Sequence, residues 1–256
     1  MEQMSGKVPR KIHQIWIQGK HQVPKKYRKM AETWKSQNPD WQYHLWDDNS
    51  LKLFLQRYHT DLLHVYCEGT DLAFQADIGR YAILDVLGGI YADMDTICVR
   101  PIDHMLCSKE ASLYIQLYDN PVLFVKSKIP GKLLVRVANS VIASVPRHPI
   151  WQDVFERIIK NEDPDAYWLE RTGPPMFSSC VKRCIDKVPD EVRLLDRQNI
   201  LTAFYLPIYY MRWYGMTHRN VCVLDFNDSG RRAIWMILRS LLWPVKAKTR
   251  EKDPDS

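Results

Sequence analysis

The pattern best suited to do chemistry is the pair of aspartates in Ala92-Asp93-Met94-Asp95. It follows the apolar run Ile90-Tyr91-Ala92, which predicts a strand continuing through the pair to about Val99. On an extended strand residues i and i+2 share a face, so both carboxylates would address one spot. Two such charges repel, and without a cation one of them would tend to hold a proton. A divalent metal removes that conflict, and hard oxygen ligands select Mn2+ or Mg2+, ions that keep positions open for water and substrate phosphates. The alternative is a solvated acidic turn.

A second group lies just upstream. Asp77, Arg80 and Tyr81 stand at i, i+3 and i+4 of a predicted helix and share a face. Between Leu72 and Ala92 the charged residues are Asp77, Arg80 and Asp85, so this carboxylate and guanidinium need partners if they are buried. One reading is an ion pair within the helix. The other is a site for sugar hydroxyls and a phosphate, since the fork of Arg binds phosphate in two places at once.

The elements that must position these residues form an α/β pattern. Residues 10–19 read as a buried strand, 25–37 as a helix with Tyr27, Met30, Ala31 and Trp34 at helical spacing, and 41–46 as an alternating strand. Asp47 to Ser50 can end that strand and cap a helix from Leu51 to about Arg57. The clearest helix is 71–87, ended by Gly88-Gly89. Further strands are expected at 112–117 and 122–126, and helices at 131–144, 150–160 and 176–187, the last after a loop at 172–175. Strand, helix and strand within the first fifty residues open an α/β fold.

Composition narrows the class. A chain of 256 residues, 46% hydrophobic and 26% charged, can bury a sizeable core in one domain, which excludes a mainly disordered or fibrous protein. The expected layout is one domain over 1–245 and a disordered tail over 246–256. Six cysteines form no CxxC pair and no zinc-finger spacing, and Cys180 and Cys184, four apart in a predicted helix, suit packing rather than a disulfide. The net charge of +6, with Lys and Arg scattered among acids, is a mild bias towards anionic partners and no nucleic-acid footprint. The first residues lack the apolar core of a signal peptide, and no apolar run is long enough to span a bilayer. A cytoplasmic or peripheral-membrane setting is expected, or a Golgi lumen if the sequence is part of a longer chain.

The segments HQIWIQG (His13–Gly19), ADIGRYAILDVLGGIYADMD (Ala76–Asp95) and TGP (Thr172–Pro174) together resemble the glycosyltransferases of family 32. That family includes yeast initiating α-mannosyltransferases, inositol-phosphoceramide mannosyltransferases and bacterial capsule enzymes, with clostridial toxin glucosyltransferases more distant. The resemblance is dense over residues 9–103. It implies a GT-A fold, a Rossmann-like mixed sheet flanked by helices, with a nucleotide sugar held at the carboxyl ends of the strands. It implies a retaining, metal-dependent transfer of a hexose from a UDP- or GDP-sugar to a glycan or glycolipid. Asp77, Arg80 and Tyr81 match the group that contacts donor sugar and phosphates. Asp93 matches the carboxylate that touches ribose or sugar and reaches the metal indirectly, and Asp95 the one that binds it directly. Trp16 matches an aromatic residue that stacks on the base, with core packing as its other reading. His218 is the candidate third ligand, or an ordinary surface histidine. Arg80 with the cation would stabilise the departing diphosphate.

Two other functions fit clustered carboxylates: a metal-dependent hydrolase or phosphotransferase, and a sugar-nucleotide-binding module without turnover. Finally, residues 231–243, apolar with basic flanks, read either as a helix lying in a membrane interface or as one packed on the core.

Overall fold

The computed structural model describes residues 7–108, 110–117, 136–160, 168–196, 198–202 and 222–225. Its backbone is a mixed sheet in the order β2-β1-β3-β6-β5-β7, formed by Gln42–Trp46, Lys11–Ile15, Gly89–Ala92, Val137–Ser144, Leu113–Leu117 and Val192–Leu195. β1 runs parallel to β2 and β3, β6 is antiparallel to both β3 and β5, and β5 is parallel to β7. A smaller sheet orders β4 (Thr96–Cys98), β9 (Val223–Asp225) and β8 (Ile200–Thr202).

Cores lie on both faces of the large sheet, as alternation along its strands requires. Tyr91, Leu113, Ile115 and Ile142 face one core, shared with α2 (Asp48–Tyr58), α3 (Thr60–Glu68), α4 (Leu72–Leu87), α5 (Ile150–Lys160) and, after the short α6 (Trp168–Arg171), α7 (Pro174–Lys187). Ile90, Ala92, Tyr114, Val141 and Ala143 face the other, closed by Trp34 of α1 (Lys25–Gln37) and by the small sheet. Cys180 and Cys184 pack in the first core, and all six cysteines are free thiols.

Local chemistry explains the element ends. Asp71 caps α4 by accepting from the amides of Ala73 and Phe74. Asp47 forms a capping box with Ser50, so α2 starts at Asp48, three residues before the expected Leu51. α4 leads into β3 through Gly88 and Gly89, at φ of 59° and 96°. A Cβ on Gly89 would stand 2.5 Å from the Lys11 carbonyl oxygen, so this glycine lets β3 lie against β1.

Two expectations are corrected. The strand expected to run through Asp93-Met94-Asp95 stops at Ala92 and resumes at Thr96 in the other sheet. Residues 137–144 form β6, not the second half of a helix over 131–144. All eight are buried between β3 and β5, and a strand buried on both faces lacks the alternation that would tell it from a helix. The short elements α3, β7, β8 and β9 had no clear pattern to announce them. The strand expected at 122–126 and the segment 231–243 lie outside the described residues.

Candidate active site

The aspartate pair sits on a turn where the chain leaves the large sheet for the small one. The turn is closed by the Thr96 amide and hydroxyl, which both donate to the Asp93 carbonyl at 3.1 and 2.6 Å. It is anchored by the Asp93 amide, which donates to the Ser140 carbonyl at 2.8 Å, and by Gln14 of β1, whose Nε2 donates to the Asp93 carbonyl at 3.1 Å. Gln14 is itself oriented by the Tyr43 hydroxyl at 2.7 Å. The same-face argument for i and i+2 therefore does not apply to Asp93 and Asp95, which are separated by the bend. It does apply one step earlier: Tyr91 and Asp93 share a face, and the Tyr91 hydroxyl donates to Asp93 Oδ1 at 2.6 Å.

Asp77, Arg80 and Asp93 form one ion network, so the two groups recognised in sequence meet in space. Arg80 Nη2 lies 3.2 Å from Asp77 Oδ1, and Nη1 lies 3.3 Å from Asp93 Oδ1. Nη1 also donates to the Asn139 carbonyl at 2.7 Å, Nε donates to the Ala76 carbonyl, and the guanidinium covers the Tyr91 ring at 4.6 Å. Arg80 is buried, which works against its charge, but Asp93, Tyr91 and Asp77 outweigh that and keep it protonated. Its fork is thus engaged inside the protein, holding Asp93 in place.

Asp77 is buried too. It accepts from Asn139 Nδ2 at 2.8 Å and from the Thr172 hydroxyl at 3.1 Å. Burial pushes its carboxyl up to about 7, against the pull of Arg80. Tyr81 closes the network: its hydroxyl donates to the Thr172 carbonyl at 2.9 Å and accepts from Asn139 Nδ2 at 2.9 Å. Its ring stacks against those of Trp151 and Phe177, with centroids 5.9 and 5.1 Å away. Tyr81 is thereby a buried support rather than a surface contact.

Trp16 is partly buried against the cluster of Val23, Ala31 and Met94, with its ring centroid 5.1 Å from that of Tyr27. Packing is what the structure shows for it, and its Nε1 is buried with no hydrogen-bond partner among the described residues. His218 lies outside the described residues.

Asn139, Thr172, Tyr91 and Gln14 were not singled out from sequence. For Asn139 the signal was a polar pair, Asn139-Ser140, interrupting an apolar run. For Tyr91 it was the alternation with Asp93. Gln14 and Thr172 carried no signal outside the family motif.

The donor set suits a hard divalent cation with open positions. Asp93 has one oxygen fixed by Tyr91 and Arg80 while its side chain stays 30% exposed, enough to reach a ligand, and Asp95 is partly exposed on the same turn. Among the described residues no three His, Cys, Asp or Glu side chains come together to hold a metal. A cation on the two aspartates would take its other ligands from water, donor phosphates or the rest of the chain.

Comparison with known proteins bears on this site directly. Residues 24–112, which include Asp77, Arg80, Asp93 and Asp95, match the model of a glycosyltransferase sugar-binding region containing a DXD motif. The chain is 29% identical over 191 residues to an uncharacterized glycosyltransferase of Acanthamoeba polyphaga mimivirus, covering 74% of this chain and 71% of that protein. It is 33% identical over 190 residues to inositol phosphoceramide mannosyltransferase 3 of Schizosaccharomyces pombe, covering 73% of this chain and 48% of the relative. The chain thus spans less than half the length of several yeast relatives it matches. Among solved structures it superposes on the PaToxG glycosyltransferase with a TM-score of 0.52 at 18% identity, covering 70% of each chain, a likeness of fold alone. Motif, relatives and fold agree: the chain carries the sugar-binding region of DXD-containing glycosyltransferases on a GT-A fold.

Proposed function

We propose that this chain transfers a hexose, mannose before others, from a nucleotide-sugar donor to a glycan or glycolipid acceptor, with retention at the anomeric carbon and with Mn2+ or Mg2+, as in family 32. The observation that carries the reading is the buried Asp77–Arg80–Asp93 network joined to the turn that bears Asp95. Mannose takes precedence because the named yeast relatives are mannosyltransferases. The donor is a GDP- or UDP-sugar.

Each residue has a part in that reading. Asp95 and the outward oxygen of Asp93 would hold the cation, which when bound supplies Lewis-acid stabilisation of the leaving diphosphate. Arg80 is a positioning residue: with Tyr91 it fixes the plane of the Asp93 carboxylate before the donor arrives, so no reorganisation is needed during the reaction. Asp77, held by Asn139 and Thr172, keeps Arg80 charged and in place. Trp16, partly buried against the cluster that includes Met94, would contact the base. No described side chain is assigned as a nucleophile, and attack on the same face guided by the departing phosphate requires none.

The test is a set of nucleotide sugars with Mn2+ or Mg2+, read as thermal stabilisation and as release of free nucleoside diphosphate. GDP-mannose or a UDP-hexose should stabilise the protein, and Asp95→Asn should abolish release while leaving the melting curve cooperative. Release undiminished in Asp95→Asn would refute the assignment. Free inorganic phosphate as the product would favour the hydrolase or phosphotransferase, and stabilisation with neither transfer nor release the binding module.

A further inference from the structure

The positive charge of the chain is not spread along it. Residues 3–31 contain eight Lys and Arg and no Asp or Glu, and the rest of the chain carries 28 cations against 30 acids. The charges described above as scattered are therefore concentrated, and the whole net charge of +6 resides in this stretch. Lys7, Arg10 and Lys11 lie at the start of β1, where Arg10 pairs with Asp103. Lys20, His21, Lys25, Lys26, Arg28 and Lys29 lie beyond its other end, the end that carries the site.

This second group is one surface. Lys25, Arg28 and Lys29 stand at i, i+3 and i+4 on the outer side of α1, opposite Ala31 and Trp34, and with Lys20 and His21 all are exposed. The inner side of the same segment packs on the aspartate turn, since Val23 and Ala31 share a buried cluster with Met94. Neighbouring acids are already engaged: Glu32 with Lys35, Asp48 with Lys52, and Asp47 with Ser50 and Lys20. The first turn of α1 holds two lysines and no acid, where the helix dipole disfavours cations. The fold alone gives no reason for this arrangement, as expected where a surface serves a partner.

We propose that this face, Lys20 to Lys29, docks the protein on an anionic lipid bilayer and holds the aspartate turn near the membrane surface, behind α1. A bilayer is preferred to other polyanions for two reasons. The aromatic residue of the segment, Tyr27, is packed against Trp16 with Lys26 over its ring, so it offers no open platform for bases. The choice also rests on the reading of the acceptor as a glycolipid. Among the described residues the large exposed apolar side chains are Leu53, Tyr58, Leu72 and Ile159, none within the basic segment, so docking is electrostatic and salt-sensitive.

The experiment is sedimentation of the full chain with vesicles of phosphatidylserine and phosphatidylcholine, against phosphatidylcholine alone, at low and high salt. The chain should bind the anionic vesicles, release at high salt, and ignore the neutral ones. Charge reversal at three positions, Lys25→Glu with Arg28→Glu and Lys29→Glu, should weaken anionic-vesicle binding by at least roughly 100-fold, without lowering the melting temperature and with nucleoside diphosphate release unchanged. Equal binding to both vesicle types, or equal binding of variant and parent, overturns the proposal. So does tighter binding to a single-stranded oligonucleotide than to anionic vesicles. Vesicle binding needs no turnover, so an inactive chain that still binds and responds to charge reversal would refute the transferase reading and leave this surface standing.

Discussion

Arg80→Met tests whether the buried ion network is a structural unit. The substitution leaves Asp77 buried with two neutral donors, Asn139 and Thr172, and no counter-charge. Breaking a buried pair by removing one partner costs about 3–5 kcal/mol. The loss is capped because Asp77, pushed up to about 7 by burial, can take a proton instead of remaining an isolated anion. For a chain of this size the melting temperature should fall by roughly 6–20 °C. Adding Asp77→Asn removes the stranded charge, so the double variant should be more stable than the sum of the single losses by about 1–3 kcal/mol. Arg80→Lys should fall between, because one ammonium cannot span Asp77, Asp93 and the Asn139 carbonyl together. Thermal and urea unfolding of the parent, the three single variants and the double variant measure this. If Arg80→Met unfolds within 1 kcal/mol of the parent, or if the two losses simply add, the network holds nothing in place and the positioning role given to Arg80 is wrong.

Acid should unfold the protein through its buried histidines. His13 Nε2 donates to the Gly88 carbonyl while its Nδ1 accepts from Trp46 Nε1, a neutral tautomer with no room for a second proton. Burial, then His44 and Lys11, lower it to about 3, and burial lowers His148 to about 4. The unfolded chain binds protons there that the native one refuses, so stability should drop as pH falls from about 6.5 towards 3, by up to several kcal/mol at about 1.4 per pKa unit. His13→Gln, able to keep both bonds, should flatten the fall measured by urea titration across pH, and an unchanged slope would dismiss His13 as its source. Gly89→Ala should cost more than 2 kcal/mol, roughly, through positive φ and the contact with Lys11, whereas Gly19→Ala, at positive φ with ordinary contact to Gln22, should cost about 1. Asn139→Ala removes the amide that donates to both Asp77 and the Tyr81 hydroxyl and should lower stability by about 1–3 kcal/mol in the same urea assay.

Local chemistry made much of this protein legible and topology hid the rest. Helix 25–37 and helix 150–160 were readable to the residue because each has one apolar stripe, and α4 because Asp71 and Gly88 mark its ends. β6 was misread because burial on both faces erases alternation, so Val137–Ser144 offered no period to choose between strand and helix. The same cause hid Asn139, whose polarity inside that run was the trace of a contact 62 residues away, with Asp77. The aspartate pair shows the converse. Its chemistry was visible in the residue types, but the reason first given, two side chains on one strand face, was the wrong geometry. A strand would have made Asp93 and Asp95 equivalent. The turn makes them different: Asp93 is tied through Tyr91, Arg80, Ser140 and Gln14 to three strands and a helix, and Asp95 lies past the bend, partly exposed. Asp93→Asn therefore disturbs the ion network as well as the cation site, and should lower the melting temperature together with donor turnover. A melting temperature equal to the parent's in Asp93→Asn would mean that the network does not hold the turn in place.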